Sequence, residues 1–403
     1  MEVEKSEVKN KTVGEYMKLG IICTMINGFG RRGYYNTQEI GLGRELERQG
    51  HEVTIYKCVK KTGGESIERV KLGNILSILY IPVSSFGAHG CLDTAVLSTD
   101  LDAVLCFADN QIFLPHIYRF CARHEIRMVP YIGRTHSSSG GVHGFAMNTL
   151  FHLGTLRWFR RGPAISKIEE VRQELLQLGV KDVKVAPVGL DFSVMKSDFA
   201  AYDRAALRRE FGLLPEDMVI CTVGRMGPEK NPLDLVEIYQ QVREQKPCKL
   251  LLVGEGTQSE DLKTKIAASK WKSDIVLIDR IPNDQIWKVY ATADYFVNLC
   301  RTEIFGMAIL EAMYYGVSVA ALAAPGPSVT LRDMPGHKLC SSYEEIRDWL
   351  LAEHPAQEQL RESAARTVQL YNWKPCADIF LSMAVGGTNE HPGHHNILSS
   401  SRA

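Results

Sequence analysis

The chain has 403 residues, of which 47 are basic (Lys and Arg), 47 are acidic (Asp and Glu) and 45% are hydrophobic. This length suggests two or three domains, and the balanced composition excludes disorder as the main state of the chain. The longest apolar runs, such as Ile75–Val83, are far shorter than the roughly 20 residues that span a bilayer. The charged start does not resemble a signal peptide, and the ten cysteines contain no CxxC pair. We therefore expect a cytoplasmic protein with reduced thiols.

The charge is unevenly distributed along the chain. Residues 1–190 carry 24 basic and 19 acidic side chains, whereas residues 191–403 carry 23 and 28. Within the first half, residues 110–168 contain eight basic side chains, five histidines and a single acid, Glu125. Such a local excess of positive charge attracts anions, and it is informative about binding partners rather than about fold.

In the first half, a polar N-terminal extension (1–16) precedes alternating strand-like and helix-like segments. Short apolar runs predict buried strands, and one segment with helical periodicity stops at Gly50. The predicted strands are Leu19–Met25, Val53–Tyr56, Ala103–Phe107 and Met128–Ile132, and the predicted helix is Thr37–Gln49. Strands alternating with helices predict a parallel, doubly wound sheet over residues 17–195.

The same alternation restarts in the second half, which predicts a second doubly wound domain over residues 196–370. Its predicted strands are Asp217–Val223, Lys249–Val253, Ile275–Ile278, Tyr295–Leu299 and Ser318–Leu322, and its predicted helices are Leu233–Gln245, Glu260–Lys270, Asn283–Thr292 and Met307–Tyr315. A last helix (371–385) is expected to return to the first domain, followed by a Gly/Ser/His-rich tail (386–403). Two such domains leave a cleft between them, where the carboxyl ends of parallel strands bind ligands.

A glycine pattern, Gly28-x-Gly30-x-x-Gly33, follows the first strand. It matches a dinucleotide fingerprint, but NAD binding also requires an acid at the carboxyl end of the next strand, and Glu52 lies at the opposite end. The glycine pattern has two other interpretations. It could form a structural turn, or a loop whose backbone approaches a substrate closely.

A second motif, GRMGPEKNP, begins at Gly224, where the first strand of the second domain ends. The planar guanidinium of Arg225 suits phosphate oxygens, and Lys230 adds a second positive charge. A solvated loop whose basic side chains bind nothing is the alternative.

A third motif, RTEIFGMAILEAM, lies between a strand and a helix. The backbone amides of Ile304, Phe305 and Gly306 would lie at the helix N-terminus, which carries a partial positive charge and suits an anion. Glu303 can point into the cleft or cap the helix. Glu311 lies in an otherwise apolar helix, where a charge is costly unless it is paired.

The spacing of GRMGPEKNP and the E-x7-E pattern in RTEIFGMAILEAM resembles the retaining glycosyltransferases of the GT4 family. The resemblance extends over most of the chain, and it implies the GT-B fold, with two Rossmann-like domains that face each other across a cleft. It is most specific in the second half, including LLLVGEGTQ and the APGPS turn.

The resemblance also implies residue roles. Arg225 and Lys230 would hold the donor diphosphate, Glu311 the ribose hydroxyls and Glu303 the donor sugar. The remaining implied donor contacts are backbone and glycine positions, namely Gly28, Gly30, Gly224, Arg280, Ile281, Ile304, Phe305 and Gly306. His136 would lie against the donor sugar and the reacting centre, although a histidine there could also be purely structural.

The implied reaction is the retaining transfer of a hexose from a nucleotide-sugar to a hydroxyl or amine. UDP is the commonest donor nucleotide expected for the family, and the sequence shows no obvious acidic cluster of the DxD type that would recruit a metal. We therefore expect no metal and no further cofactor, with positive groups stabilising the leaving diphosphate.

The acceptor is less constrained. Residues 145–161 (FAMNTLFHLGTLRWFRR) mix aromatic and basic side chains, which would fit an anionic membrane surface, a lipid-linked acceptor or a core helix with a solvated basic end. A glycan or a small soluble acceptor is equally compatible, and nucleic acid is not expected because the whole chain is neutral. An NAD-dependent oxidoreductase and a nucleotide-sugar-binding protein without catalysis are the two rival functions.

Overall fold

The computed structural model describes residue 12 and residues 14–26, 37–137, 141–198 and 201–385. These residues form two lobes, each built on a mainly parallel β-sheet against which helices pack. The doubly wound pattern predicted from the alternation of strands and helices is thus present in both halves of the chain.

The first lobe contains an eight-stranded sheet and a small hairpin. Its strands are β1 (Lys18–Cys23), β2 (Glu52–Lys60), β3 (Glu68–Lys71), β4 (Leu76–Val83), the hairpin strands β5 (Ser85–Phe86) and β6 (His89–Gly90), β7 (Ala103–Phe107), β8 (Arg127–Ile132), β9 (Ala164–Ser166) and β10 (Val183–Val185). Its helices are α1 (Gln38–Arg48), α2 (Pro115–Arg123), α3 (Gly141–Leu150), α4 (Leu156–Phe159) and α5 (Glu169–Gln177).

The strand order in this sheet is β10-β9-β8-β7-β1-β2-β4-β3, and only β3 is antiparallel to its neighbour. The chain winds outward from β1 in one direction and from β7 in the other, so the winding direction changes between β1 and β7. Ligands of open parallel sheets bind outside the carboxyl ends of the strands at such a switch point.

The second lobe contains a six-stranded, fully parallel sheet. Its strands are β11 (Val219–Val223), β12 (Lys249–Val253), β13 (Ile275–Ile278), β14 (Tyr295–Asn298), β15 (Ser318–Leu322) and β16 (Lys338–Cys340). Its helices are α6 (Arg204–Glu210), α7 (Pro232–Arg243), α8 (Ser259–Ala268), α9 (Trp287–Thr292), α10 (Met307–Tyr314), α11 (Pro325–Thr330), α12 (Tyr343–Leu351) and α13 (Gln357–Leu370). The order β13-β12-β11-β14-β15-β16 places its switch point between β11 and β14.

The chain crosses between the lobes twice, and the two crossings lie side by side. The Leu190 N–H donates to the Tyr371 carbonyl oxygen at 2.7 Å, and Leu190 forms a parallel bridge with Asn372. Beyond this point, α14 (Lys374–Ala384) packs against α1, β7 and β8 of the first lobe. Trp373 and Phe380 are buried there, so the last helix is part of the core of the first lobe.

Several elements differ from the sequence-based expectation. β2 extends four residues beyond the predicted Tyr56, because Lys57 is buried in an ion pair with Glu39 of α1, which neutralises its charge. β1 ends at Cys23, and Met25 forms only an isolated bridge with His89. β3, β9, β10 and β16, with three or four residues each, were not predicted, and neither was β4.

His337 joins β15 to α13 and should make the second lobe sensitive to acid. Its Nδ1 accepts a hydrogen bond from the Val319 N–H at 3.0 Å, and its Nε2 lies 2.6 Å from Ser363 Oγ. Burial lowers the pKa of His337 to about 3. The unfolded chain takes up a proton below about pH 6.5 and the folded lobe does not, so stability falls as the pH decreases from about 6.5 towards 3.

We expect the free energy of unfolding, measured by urea titration, to fall by about 2 kcal/mol from this residue between pH 6.5 and pH 5. The His337→Gln variant, which keeps a hydrogen-bonding side chain but cannot titrate, should show a shallower pH dependence. Equal slopes for the two proteins would contradict this assignment.

Candidate functional site

The carboxyl ends of β11 and β14 carry two of the motifs singled out in the sequence. The loop after β11 contains residues 224–231, and the loop after β14 contains residues 299–306. Because β11 and β14 are hydrogen-bonded neighbours at the switch point, both loops emerge at the same place on the edge of the sheet. The side chain of Asn231 ties them together, since its Nδ2 donates to the Leu299 carbonyl oxygen at 3.0 Å.

Lys230 and Glu303 form an ion pair between these two loops. Both side chains are partly buried, with 31% and 17% of their surface exposed. Asn298, the last residue of β14, donates from Nδ2 to the same carboxylate oxygen of Glu303 at 3.3 Å. Burial alone would lower the pKa of Lys230, but the Glu303 carboxylate, together with Cys300 and Glu229, outweighs burial and the pKa is raised. Lys230 is therefore a fixed positive charge at the switch point.

Arg225 lies on the same loop but points elsewhere. Its side chain is 61% exposed, and its Nε and Nη2 donate to Glu229 Oε1 at 2.9 and 2.5 Å. An exposed pair of this kind contributes little to stability, so the guanidinium can exchange Glu229 for another anion at small cost. The structure thus brings Lys230 and Glu303 together directly, and it leaves Arg225 at the rim.

Glycine is required where the loops after β11 and β12 meet. Gly254, at the end of β12, has φ of +140°, and a Cβ placed there would overlap the carbonyl oxygen of Gly224. Gly224 itself donates its N–H to the Val253 carbonyl oxygen at 3.0 Å. The close approach of these two backbones shapes the floor of the site.

The N-terminus of α10 points from the same edge of the sheet. Gly306 precedes the helix with φ of +86°, and a Cβ there would meet Ile309 at 2.8 Å, so this turn favours glycine. Phe305 is buried, and its ring packs edge-on against Tyr371 at 5.8 Å between centroids. Ile304 is partly exposed. The first amides of α10 have no partner within the helix, which makes this end suited to a negatively charged group.

Glu311 lies on the next turns of α10 and is 8% exposed. Its Oε2 accepts a hydrogen bond from the Tyr290 hydroxyl at 2.7 Å. Burial raises the pKa of Tyr290, and the Glu311 carboxylate adds to that shift, so the tyrosine remains a hydrogen-bond donor. The expectation that a glutamate in this apolar helix needs a partner is thus met by Tyr290, which the sequence did not identify.

Arg280 and Ile281 follow β13, two strands away from β11 in the sheet. Arg280 forms an ion pair with Glu255, which follows β12, and Ile281 is partly buried against the hydrophobic core. Their backbone therefore lies at the same edge of the sheet as Lys230 and Glu303, on the side of β12 and β13.

The first lobe contributes the loop after β8. His136 lies on this loop and is exposed, and the neighbouring Arg134 reaches the second lobe, where its Nη2 donates to the Thr302 carbonyl oxygen at 3.2 Å. Arg134 thus lies next to Glu303 in the cleft. Gly28 and Gly30, predicted to face the donor, lie outside the described residues.

A partly buried ion pair at the same edge of the first lobe was not predicted. Lys167 follows β9, and its Nζ lies 2.9 Å from Oδ2 of Asp109, in the loop after β7. The Asp109 carboxylate also accepts a hydrogen bond from the Gly133 N–H. Asn110 has φ of +47° and donates from Nδ2 to the Thr135 carbonyl oxygen at 3.1 Å. These contacts fix the loop that carries Arg134 and His136. The signal that could have identified Asp109 is its position directly after a predicted strand.

The basic and aromatic segment 145–161 lies mainly on the surface of the first lobe. It consists of the end of α3, one π-helical turn (Phe151–Thr155), α4 and the two residues after it. Asn148 connects it to the cleft, because its Oδ1 accepts a hydrogen bond from the Ser137 N–H at 2.7 Å.

Within the described ranges, no helix is both long enough and apolar enough to cross a membrane. In the same part of the chain, no three His, Cys, Asp or Glu side chains are grouped so that they could hold a metal ion.

The comparisons with known proteins agree with this architecture. Residues 203–366 match the family described as "Glycosyl transferases group 1". The chain is 29% identical over 211 residues to the D-inositol 3-phosphate glycosyltransferase of Segniliparus rotundus, covering 50% of this chain and 46% of that protein. It is 23% identical over 299 residues to the alpha-monoglucosyldiacylglycerol synthase of Streptococcus pneumoniae, covering 70% and 66%. The chain thus spans less than two thirds of the length of either relative.

Among solved structures, the chain is similar to Anabaena HepE in complex with UDP and glucose. The TM-score is 0.66 at 14% identity, and the match covers 91% of this chain and 98% of that one. Identity at this level is informative about the fold alone. The predicted fold, two Rossmann-like lobes in the GT-B arrangement, is confirmed, and so is the resemblance to the glycosyltransferase family drawn from the two motifs of the second lobe.

Proposed function

We propose that this chain, which has the GT-B fold and carries a group 1 glycosyl transferase domain in its second lobe, transfers a hexose from a nucleotide-sugar to a hydroxyl or amine acceptor with retention of anomeric configuration. The observation that carries the proposal is the Lys230–Glu303 pair at the switch point between β11 and β14. Lys230 provides a fixed positive charge that can bind a diphosphate. Glu303, in direct contact with it, provides a carboxylate that can bind sugar hydroxyls.

The leaving diphosphate would be stabilised by three groups that act together. Lys230 supplies a fixed charge, Arg225 exchanges Glu229 for a phosphate oxygen, and the first amides of α10 donate to the same anion. Preorganised donors of this kind are typically worth about 3 kcal/mol each in a transition state. With these groups the transfer needs no metal ion.

In this mechanism the bond between the anomeric carbon and the diphosphate oxygen breaks while the acceptor oxygen bonds to that carbon from the same face. The acceptor proton moves to the departing phosphate. Glu303 positions the sugar and forms no covalent bond to it, and His136 lies on the loop of the first lobe that faces the reacting centre. Closure of the lobes would exclude water, which otherwise competes as an acceptor.

UDP is the proposed donor nucleotide, and the complexes of the similar Anabaena structure with UDP and glucose support it. Glu311 would bind the ribose hydroxyls, and the backbone at Arg280 and Ile281 would receive the base. We propose that the protein acts in the cytoplasm.

The NAD-dependent alternative is disfavoured by the end of β2. A ribose of NAD would need an acid there, whereas the residues at this end of the strand include Lys57 and Lys60. Lys57 forms an ion pair with Glu39, which lies in the first turn of α1 and is only 2% exposed.

The proposed function is tested by a thermal-shift screen with UDP-, GDP-, ADP- and dTDP-sugars and with NAD. We expect one nucleotide-sugar class to raise the melting temperature, and slow hydrolysis of that donor to release the sugar first as the retained anomer, as seen by NMR. Excess chelator should leave the rate unchanged. A shift with NAD alone, or release of the inverted anomer, would contradict the proposal, and inhibition by chelator that added metal reverses would reject the metal-free mechanism.

The Glu311→Gln substitution tests the nucleotide contact. It keeps the hydrogen bond with Tyr290 possible but removes the carboxylate, so we expect the Kd for UDP, measured by calorimetry, to rise about 10- to 100-fold. Tyr290→Phe is the matched control, since it removes the buried partner and should change stability more than affinity. An unchanged Kd in Glu311→Gln would reject the ribose contact.

A further inference from the structure

One face of α3 and of the π-helical turn that follows it is apolar and exposed. Val142, Phe145 and Leu153 are 86%, 73% and 73% exposed, and they are the three most exposed large apolar side chains in the part of the chain that the structure describes. Leu150, at 50%, lies on the same face. The positions recur at helical spacing, so they form one continuous stripe rather than scattered surface residues.

The stripe continues into a basic end. Arg157, Arg160 and Arg161 are exposed and lie one to two turns beyond Leu153. The guanidinium groups of Arg157 and Arg161 lie 5.8 and 4.7 Å from the centre of the Trp158 ring. No aspartate or glutamate occurs between residues 126 and 168, so the three arginines have no acidic neighbour nearby in the sequence.

This combination favours one kind of partner. A helix with an exposed apolar face and a basic end lies in the interface of a bilayer, with the apolar side chains among the acyl chains and the arginines at anionic headgroups. A second copy of the chain is a poorer occupant, because a symmetric contact places the same region on both sides, and that region has no acidic side chain to neutralise the arginines.

The stripe is also connected to the cleft. Asn148, on the same helix, accepts a hydrogen bond from the Ser137 N–H and lies 3.5 Å from Asn110 Nδ2, so α3 is fixed to the loop that carries His136. A membrane bound to this face would lie beside the entrance on the first lobe.

We propose that the exposed face of α3 and the π-helical turn, with the arginines that follow, docks the protein onto an anionic lipid bilayer. The consequence that the acceptor is presented at the lipid surface rests on the proposed glycosyl transfer, whereas the docking itself does not.

Flotation of the full chain with lipid vesicles tests the docking. The probes are vesicles of phosphatidylcholine with about 30 mol% phosphatidylglycerol, and vesicles of phosphatidylcholine alone. We expect the unmodified protein to float with the anionic vesicles. The partition coefficient of the Phe145→Ser/Leu153→Ser variant onto these vesicles should be at least about tenfold lower. In the Arg157→Gln/Arg161→Gln variant, the partition coefficient should fall about fivefold for each arginine replaced, and only on anionic vesicles.

The matched control is Leu214→Ser/Val368→Ser, which replaces apolar side chains that are 53% and 39% exposed on the second lobe. It should float like the unmodified protein, and circular dichroism and melting temperature should be unchanged in all variants. The proposal is overturned if the unmodified protein does not float, or if Phe145→Ser/Leu153→Ser floats equally well. It is also overturned if sedimentation shows a dimer that this variant abolishes while vesicle binding is absent. Since flotation needs no turnover, its failure is distinguishable from failure of the transfer assay.

Discussion

Replacing Lys230 with alanine should lower kcat/KM by about 10²- to 10³-fold while the fold persists. Among the described residues, Lys230 is the only side chain that forms an ion pair with Glu303. It supplies a full positive charge where the diphosphate would leave. Because the leaving diphosphate carries more charge in the transition state than in the bound donor, the loss should fall mainly on kcat. Initial rates of nucleotide release and a melting curve measure the two effects separately.

Lys265→Ala is the matched control for this experiment. Lys265 forms an ion pair with Glu237 in the same lobe, between α8 and α7, and its side chain is similarly exposed, at 27% against 31%. The control should retain normal rates, since its pair lies away from the switch point. Near-normal activity in Lys230→Ala, or an equal loss in both variants, would remove Lys230 from the site.

Glu303→Gln should lower kcat/KM by about 10- to 100-fold and also change its pH dependence. In the native protein, burial would lower the pKa of Lys230, and the Glu303 carboxylate is the main group that counteracts this, with smaller help from Cys300 and Glu229. Glutamine at position 303 removes the charge of that carboxylate, while Cys300 and Glu229 still raise the pKa of Lys230. The pKa of Lys230 should therefore fall, and the lysine should lose its proton at lower pH. We therefore expect the alkaline limb of the pH–rate profile to move to lower pH in the variant.

Rates measured between about pH 6 and pH 10 test this shift, which a merely structural role of Glu303 would not produce. Glu237→Gln, which breaks the surface pair with Lys265, serves as the control and should leave the profile unchanged. A uniform loss of rate at all pH values would show that Glu303 does not set the ionisation of Lys230.

The fold was largely predictable where strands are buried on both faces. Ala103–Phe107, Lys249–Val253, Ile275–Ile278 and Ser318–Leu322 coincide with observed strands, because parallel strands covered by helices are continuous apolar runs. The pattern fails for β3 (ERVK) and β10 (VKV), the two edge strands of the first sheet, because charged side chains interrupt the apolar run in each. There, pairing with a neighbouring strand rather than local hydrophobicity determines the structure.

The candidate site was predictable where chemistry and position coincide in the sequence. Lys230 and Glu303 lie on the loops that follow two predicted strands, and these loops meet because β11 and β14 are adjacent. Asp109, Lys167 and Tyr290 were missed because each acts through a partner that is 21 to 58 residues distant in the chain, and no local spacing reports such a contact. The roles of His136 and Glu311 in binding the donor stay predictions.

The paired crossings at Leu190 and Asn372 have a mechanical consequence. A rotation of one lobe relative to the other that preserves the hydrogen bond between Leu190 and Tyr371 must use these two connecting segments as its hinge. A polypeptide that ends before Trp373 would lack α14 and with it a buried part of the first lobe, so that lobe is not a self-sufficient unit for expression or domain exchange.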